Sequence, residues 1–459
     1  MERKKVLGFW DLVLFSFCAI FGVEAIATAA AIGPSAISWW LIFIVCYFLP
    51  SGLISAELGS TYPEQGGIYA WVKRAFGKRW AARTIWYYWL SLPIWIPAIY
   101  IAFAEILGHM FFPGLKLWDQ VLIAIVMIWV TTVVNICSLE SSKWVTNLGS
   151  ISKLLIAIGM VLAAGMFFLK HGHMANEINL VNILPSFNAA VIFIPIIIYN
   201  LLGCELVSSV AGEMKNPQRD VPKAVILSAF AIAALYLIST LLIWVIVPAS
   251  EISVSSGIIQ MFIIAFDTHA LSGFVTISIG LLVLSTLFSG IVAWTLGQNR
   301  AMAEAANNGE MPKIFGLMSK NNAPIGASVA SGIISTIIII VYWFFADTAS
   351  EMFWHVTAFC LVIELFSYLI LFPAYIALRK RDKKIIRPYK VPGPDWFVFL
   401  LAGVAEIILL LTVIILCLQP GKDFMWTALP IIVGTIVIVI IGEMLIGWSL
   451  KNIKHEVIS

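Results

Sequence analysis

Two stretches place a glycine and a glutamate two residues apart inside otherwise apolar runs: Phe21-Gly22-Val23-Glu24-Ala25 near the start and Leu202-Gly203-Cys204-Glu205-Leu206 near the middle. Glycine lets the backbone leave helical geometry and lets a ligand approach the main chain. A carboxylate at the centre of a membrane helix costs roughly 2.5–3.5 kcal/mol on insertion scales, so two of them at matching positions imply a use. The chemistry on offer is binding: two carboxylates beside backbone groups freed from helical hydrogen bonds form a polar site for a small solute. Either glutamate taken alone fits equally well a protonated or helix-bonded side chain inside a bundle.

Glu364, midway along a later apolar run, is a third candidate for the same cavity. Glu57 and Glu105 lie near the ends of their runs, and Glu406 and Glu443 fall in the last two, where structural roles are expected. Lys153 sits inside an apolar run, roughly two turns from its cytoplasmic end by helical rise. It could act as a proton-coupled switch, as a fixed charge filling a cation site, or as a side chain that snorkels to the interface. Tyr199 and Trp294 flank the interrupted stretches, and their ring faces suit a guanidinium or ammonium. Trp86 and Trp89 are expected in an interfacial belt. The six cysteines, Cys18, Cys46, Cys137, Cys204, Cys360 and Cys417, form no CxxC and read as small core residues. No nucleotide-binding loop, zinc-protease motif or nucleophile elbow occurs. No catalytic residue, metal or cofactor is therefore expected, and nothing suggests nucleic acid.

The elements that must hold these residues follow from composition. Of 459 residues, 61% are hydrophobic and only 12% charged, with a mean hydropathy of +0.98. That is far from the balance of soluble domains. Apolar runs recur at about 12–32, 36–58, 85–108, 119–137, 147–169, 189–211, 223–247, 273–302, 326–346, 352–378, 396–418 and 425–448, each long enough to span a bilayer. All lysines and arginines except Lys116, Lys153, Lys170 and Lys422 fall at the N-terminus, in alternate loops or in the C-terminal tail. The positive-inside rule then places both termini in the cytoplasm of a plasma-membrane protein. The basic N-terminal MERKK precedes no cleavage site and is expected to stay attached to the first span. The densest basic loop, Arg379 to Lys390, reads as a topology anchor beside anionic lipid rather than a dedicated lipid or partner site. Matching interruptions in the first and sixth spans predict an inverted five-plus-five repeat. The expected units are 1–180, 181–395 and an appended 396–459. The expected fold is all-α, with 12 transmembrane helices.

Several stretches carry a family resemblance. YNLLGCELVSSVAGEMKNPQRDVPKAV at 199–225, EQGGIYAWVKRAFG at 64–77, AWTLGQNRAMAEAANNGEMPKIF at 293–315 and RPYKVPG at 387–393 together resemble the amino acid–polyamine–organocation transporters over about the first ten spans. The resemblance implies a LeuT-like fold working by alternating access, usually as exchange or proton-coupled uptake. It puts Gly22, Val23, Glu24, Tyr199, Asn200, Gly203, Glu205, Trp294 and Glu364 at the substrate. It also assigns coupling to Lys153 and Glu205, with Trp294 against a guanidinium and Lys153 in place of sodium. One departure matters: Glu24 stands where the family's first-helix motif usually has its second glycine. A fixed anion there repels a substrate carboxylate. A cationic amine without a carboxylate is therefore expected, such as agmatine exchanged for putrescine. The alternative is an amino acid exchanged for its decarboxylation product, as in glutamate/GABA exchangers; from another class, the alternative is a sensor that binds without transporting.

Overall fold

The structure, a computed structural model, describes residues 5–112, 114–137, 139–186, 194–195, 197–253, 257–267, 272–345, 348–418 and 428–458. It is built of helices; the sole extended pairing among the described residues is a parallel bridge between Leu7 and Met214. Helices α1 (Phe9–Ile20) and α2 (Val23–Ala30) are followed by α3 (Ala36–Thr61), the short α4 (Ile68–Phe76) and α5 (Lys78–Phe111). Next come α6 (Leu117–Cys137), α7 (Leu139–His171), α8 (Pro217–Ile246), α9 (Gly257–Phe266) and α10 (Ser272–Asn307). The chain ends with α11 (Ile325–Trp343), α12 (Ala349–Tyr368), α13 (Leu371–Arg381), α14 (Asp395–Leu418) and α15 (Leu429–Ile458).

Ten spans among the described residues are long and apolar enough to cross a membrane, α12 and α13 forming one of them; the bent pair α1–α2 makes an eleventh. The expected span at 189–211 overlaps residues 187–193 and 196, which lie outside the described residues. The count among the described residues is consistent with the twelve spans expected of a multi-pass membrane protein. The first span is not continuous: α1 and α2 meet at 42° across Phe21 and Gly22. Lys153 lies about 21 Å along α7, further from the helix start than the two turns expected, because α7 begins at Leu139.

Helix α5 is the scaffold's centre, mostly buried, and it packs on α6, α10, α11 and α12. Proline shapes it at Pro93 and Pro97. Pro97 has no N–H to offer the carbonyl of Pro93, and Ser335 of α11 donates to that carbonyl at 2.9 Å instead. Trp86 and Trp89 are not interfacial. Both are buried, their indole N–H groups donating to Ile438 O and Asn299 Oδ1. Cys18, Cys204 and Cys360 are core residues, but Cys46 and Cys417 are half-buried and Cys137 is exposed. The last two spans, α14 and α15, touch α3, α5 and α12 from outside and stay largely unburied.

At the basic end, Glu57 of α3 organises the loop after α13. Its carboxylate accepts from Arg379 at 2.5 Å, Arg387 at 2.8 Å, Tyr375 at 3.1 Å and the Val391 backbone N–H at 2.7 Å. Two of the loop cluster's arginines therefore serve an internal structural network around a buried acid.

Candidate functional site

The break in the first span leaves the last carbonyls of α1 without helical partners, and three side chains from three other helices take them up. Lys153 Nζ of α7 donates to Cys18 O at 2.5 Å, and Trp294 Nε1 of α10 donates to Ala19 O at 2.9 Å. Tyr236 Oη of α8 lies 2.8 Å from Ile20 O and 3.2 Å from Asn200 O, sharing its proton between them, and accepts the Gly22 N–H at 2.8 Å. An ammonium at a helix C-terminus also opposes the negative end of the helix dipole. The positive end, the N-terminus of α2, carries Glu24 in its first turn and Gly22 as its cap.

The second interruption is tighter. After Tyr199 the chain turns through Leu201 N–H to Ile198 O and Leu202 N–H to Tyr199 O, at 2.9 and 3.1 Å. It then passes Gly203 at φ +108°, a value that L side chains rarely adopt, and continues as a 3-10 segment, Leu206–Glu213. Tyr236 ties this break to the first, because it bonds backbone on both.

A cavity of about 350 Å³ opens above the two breaks. Val23 and Glu24 form its floor with Tyr199 and Asn200. Trp95, Ile99, Ala102, Glu105 and Ile106 give it one wall of α5, while Ser253, Gly257, Phe353 and Thr357 stand toward the far loops. A smaller recess of about 30 Å³ continues beneath, lined by Gly22, Glu24, Trp95, Lys153, Tyr199, Asn200, Leu202 and Trp294 among others. The space over Gly22 is narrow: a methyl group there would lie 2.7 Å from Asn200 Oδ1 and 2.9 Å from Glu24 Oε1. Trp95 meets Tyr199 and Trp294 edge to face, with ring centroids 5.9 and 6.2 Å apart. Three aromatic rings thus border a recess that contains one carboxylate and one ammonium.

Of the expected residues, Gly22, Val23, Glu24, Lys153, Tyr199, Asn200 and Trp294 line these two spaces. Gly203, Glu205 and Glu364 line neither. Glu205 is fully buried, and its Oε1 accepts hydrogen bonds from Tyr88 of α5 at 2.8 Å and Tyr368 of α12 at 2.6 Å. Glu364 is buried on α12, its Oε1 without a hydrogen-bond partner among the described residues. Gly203 packs its backbone against the Trp294 ring, a Cβ there coming within 3.0 Å of Cζ2. Trp95, Tyr88, Tyr236 and Tyr368 were not singled out by sequence. Trp95 carried a signal, since it falls between two prolines at mid-span, where an interfacial tryptophan does not belong. The three tyrosines are ordinary residues of their apolar runs, and nothing local marks them.

The side opposite the cavity is closed by polar contacts. Arg300 pairs with Glu213 between α10 and the 3-10 segment. Tyr69 donates to Glu310, which Lys73 also meets at 2.9 Å. The chain before α1 is stitched to the segment before α8 by Val6 N–H and Leu7 N–H to Glu213 O and by Lys215 N–H to Leu7 O, at 3.0–3.1 Å.

Known proteins agree with this architecture. The chain is 34% identical over 452 residues to the probable agmatine/putrescine antiporter of Lactococcus lactis subsp. lactis strain IL1403, covering 98% of this chain and 96% of that one. It is 28% identical to an uncharacterized transporter of Legionella pneumophila subsp. pneumophila strain Philadelphia 1, over 92% and 91% of the two chains. It is 24% identical to the glutamate/gamma-aminobutyrate antiporter of the same Lactococcus strain, over 92% and 85%. A family model described as amino acid permease matches residues 7–441, and the chain belongs to that family.

Proposed function

We propose that this protein is a secondary antiporter that exchanges a cationic amine, agmatine against putrescine, by alternating access. The observation that carries the reading is Glu24. In the first turn of α2 its carboxylate occupies the positive helix end that would otherwise receive a substrate anion. A dication satisfies the site where a carboxylate would meet like charge. One cationic end sits against Glu24 and Asn200 in the recess, and the other lies along the cavity between Trp95 and Tyr199, whose ring faces favour guanidinium and ammonium. The Lactococcus relative named for agmatine and putrescine supports the same substrates.

Both termini are taken as cytoplasmic, from the basic loops, so the open cavity faces outward and the closed side faces the cytoplasm. Under this assignment Glu205, held by Tyr88 and Tyr368, belongs to the inner gate, and protonation of that carboxylate is its coupling role. Lys153 is a fixed cation that caps α1 where another member would use sodium. The two halves, 1–180 and 181–395, each supply one broken segment, and 396–459 stands outside the moving parts.

Exchange of an amino acid for its decarboxylation product is the second reading, favoured by the 24% relative; it requires Glu24 to be protonated when substrate binds. Ligand-induced thermal stabilisation of the purified protein separates the two. Agmatine and putrescine raising the melting temperature, with glutamate and GABA inert, is the expected result; the reverse pattern would replace the amine reading.

A further inference from the structure

A groove of about 900 Å³ lies at the basic end of α8, away from the transport cavity. Its walls are Phe9 at the start of α1, the first turns of α8, and Pro388 and Tyr389 of the loop after α13. Arg219 and Lys223 stand four residues apart on one face of α8. Both are exposed, and neither takes part in an ion pair among the described residues. Arg300, by contrast, is used by Glu213, and Arg379 and Arg387 by Glu57. The same face continues toward the membrane as Ile226, Leu227 and Phe230, with Leu227 44% and Phe230 56% exposed. From Lys223 to Phe230 the helix rises about 10 Å. A cationic head above an apolar trough on that length scale matches one amphiphile.

We propose that this groove binds an anionic phospholipid of the cytoplasmic leaflet, its phosphate between Arg219 and Lys223 and an acyl chain along Leu227 and Phe230. Basic pockets at the cytoplasmic ends of spanning helices are suited to such headgroups. The lipid touches Phe9 just after residues 6 and 7 bond to Glu213 and Lys215. Occupancy therefore favours the arrangement in which the start of α1 is seated and this side is closed. That state preference rests on the alternating-access reading; the binding itself does not.

Native mass spectrometry of the full-length protein in detergent tests the binding without any substrate. With added phosphatidylglycerol or phosphatidylcholine, retention of one phosphatidylglycerol in preference is expected. Arg219→Gln with Lys223→Gln should weaken retention by about tenfold or more, and Phe230→Ala should weaken it in its own right. The exposed pair Lys383→Gln and Lys384→Gln, outside the groove, should not. All five positions are exposed, and unchanged melting temperatures confirm that the variants fold. Equal retention by the Arg219 and Lys223 double variant overturns the assignment. So does displacement of the lipid by inorganic phosphate, which would mark a phosphate site with no role for the acyl chain.

Discussion

Glu24 and the two broken-helix glycines do different work, and substitution separates them. Glu24→Gln keeps shape and removes charge; a charge-assisted hydrogen bond contributes about 1.5–3 kcal/mol, so the KM for putrescine uptake should rise about tenfold or more while affinity for a neutral amino acid is spared or gains. An unchanged KM would remove the charge argument. At Gly22, φ is −84°, which alanine accepts, but the added methyl would meet Asn200 Oδ1 and Glu24 Oε1. Gly22→Ala is therefore expected to fold and to lose amine binding. Gly203→Ala adds left-handed strain at φ +108° and a clash with Trp294. Its melting temperature should fall together with its binding, as thermal unfolding with and without agmatine would report. The two G-x-E patterns were legible in the sequence because a mid-membrane acid is costly. The different stations of their glutamates were not: Glu24 faces the cavity and Glu205 faces two tyrosines, which only the fold brings near.

At the level of helices, the break of the first span is held by Lys153, Trp294 and Tyr236, and Glu205 is held by Tyr88 and Tyr368. Tyr88→Phe or Tyr368→Phe removes one donor to Glu205 and, on the proposed orientation, shifts the population toward the inward-open form. A cysteine placed at Leu206, fully buried here, should then react faster with a thiol reagent from the cytoplasmic side; equal rates would show that the tyrosines do not gate. Spans were readable from hydropathy, while their ends were not. The starts of α5 and α7 extend into polar stretches, Lys78–Thr84 and Leu139–Thr146, that hydropathy gave to loops. Outside the membrane, Asp382 accepts from Arg381, Tyr62 and Arg74, which hold its carboxyl down at about 2. Its contribution to seating the basic loop is present above about pH 4 and is lost as pH falls toward 2. Asp382→Asn should abolish that acid-dependent step in an unfolding series.

For the molecule as a whole, the Glu57 network joins α3, α13 and the loop before α14. Removing one partner of a buried ion pair typically costs about 3–5 kcal/mol, so Glu57→Gln should lower the melting temperature strongly without changing substrate preference. All-α architecture and family were readable from composition and four motif stretches, whereas the cavity required α5, whose Trp86 and Trp89 the sequence reading placed in an interfacial belt and whose Trp95 it did not single out. Trp95 is the residue where that difference is sharpest. The central claim is amine exchange, and radiolabelled putrescine uptake into proteoliposomes preloaded with agmatine, arginine, glutamate or buffer tests it most directly. Rapid uptake with agmatine inside, and little with glutamate or buffer, is the expected result. Uptake driven by internal glutamate, or none under any loading, would contradict it.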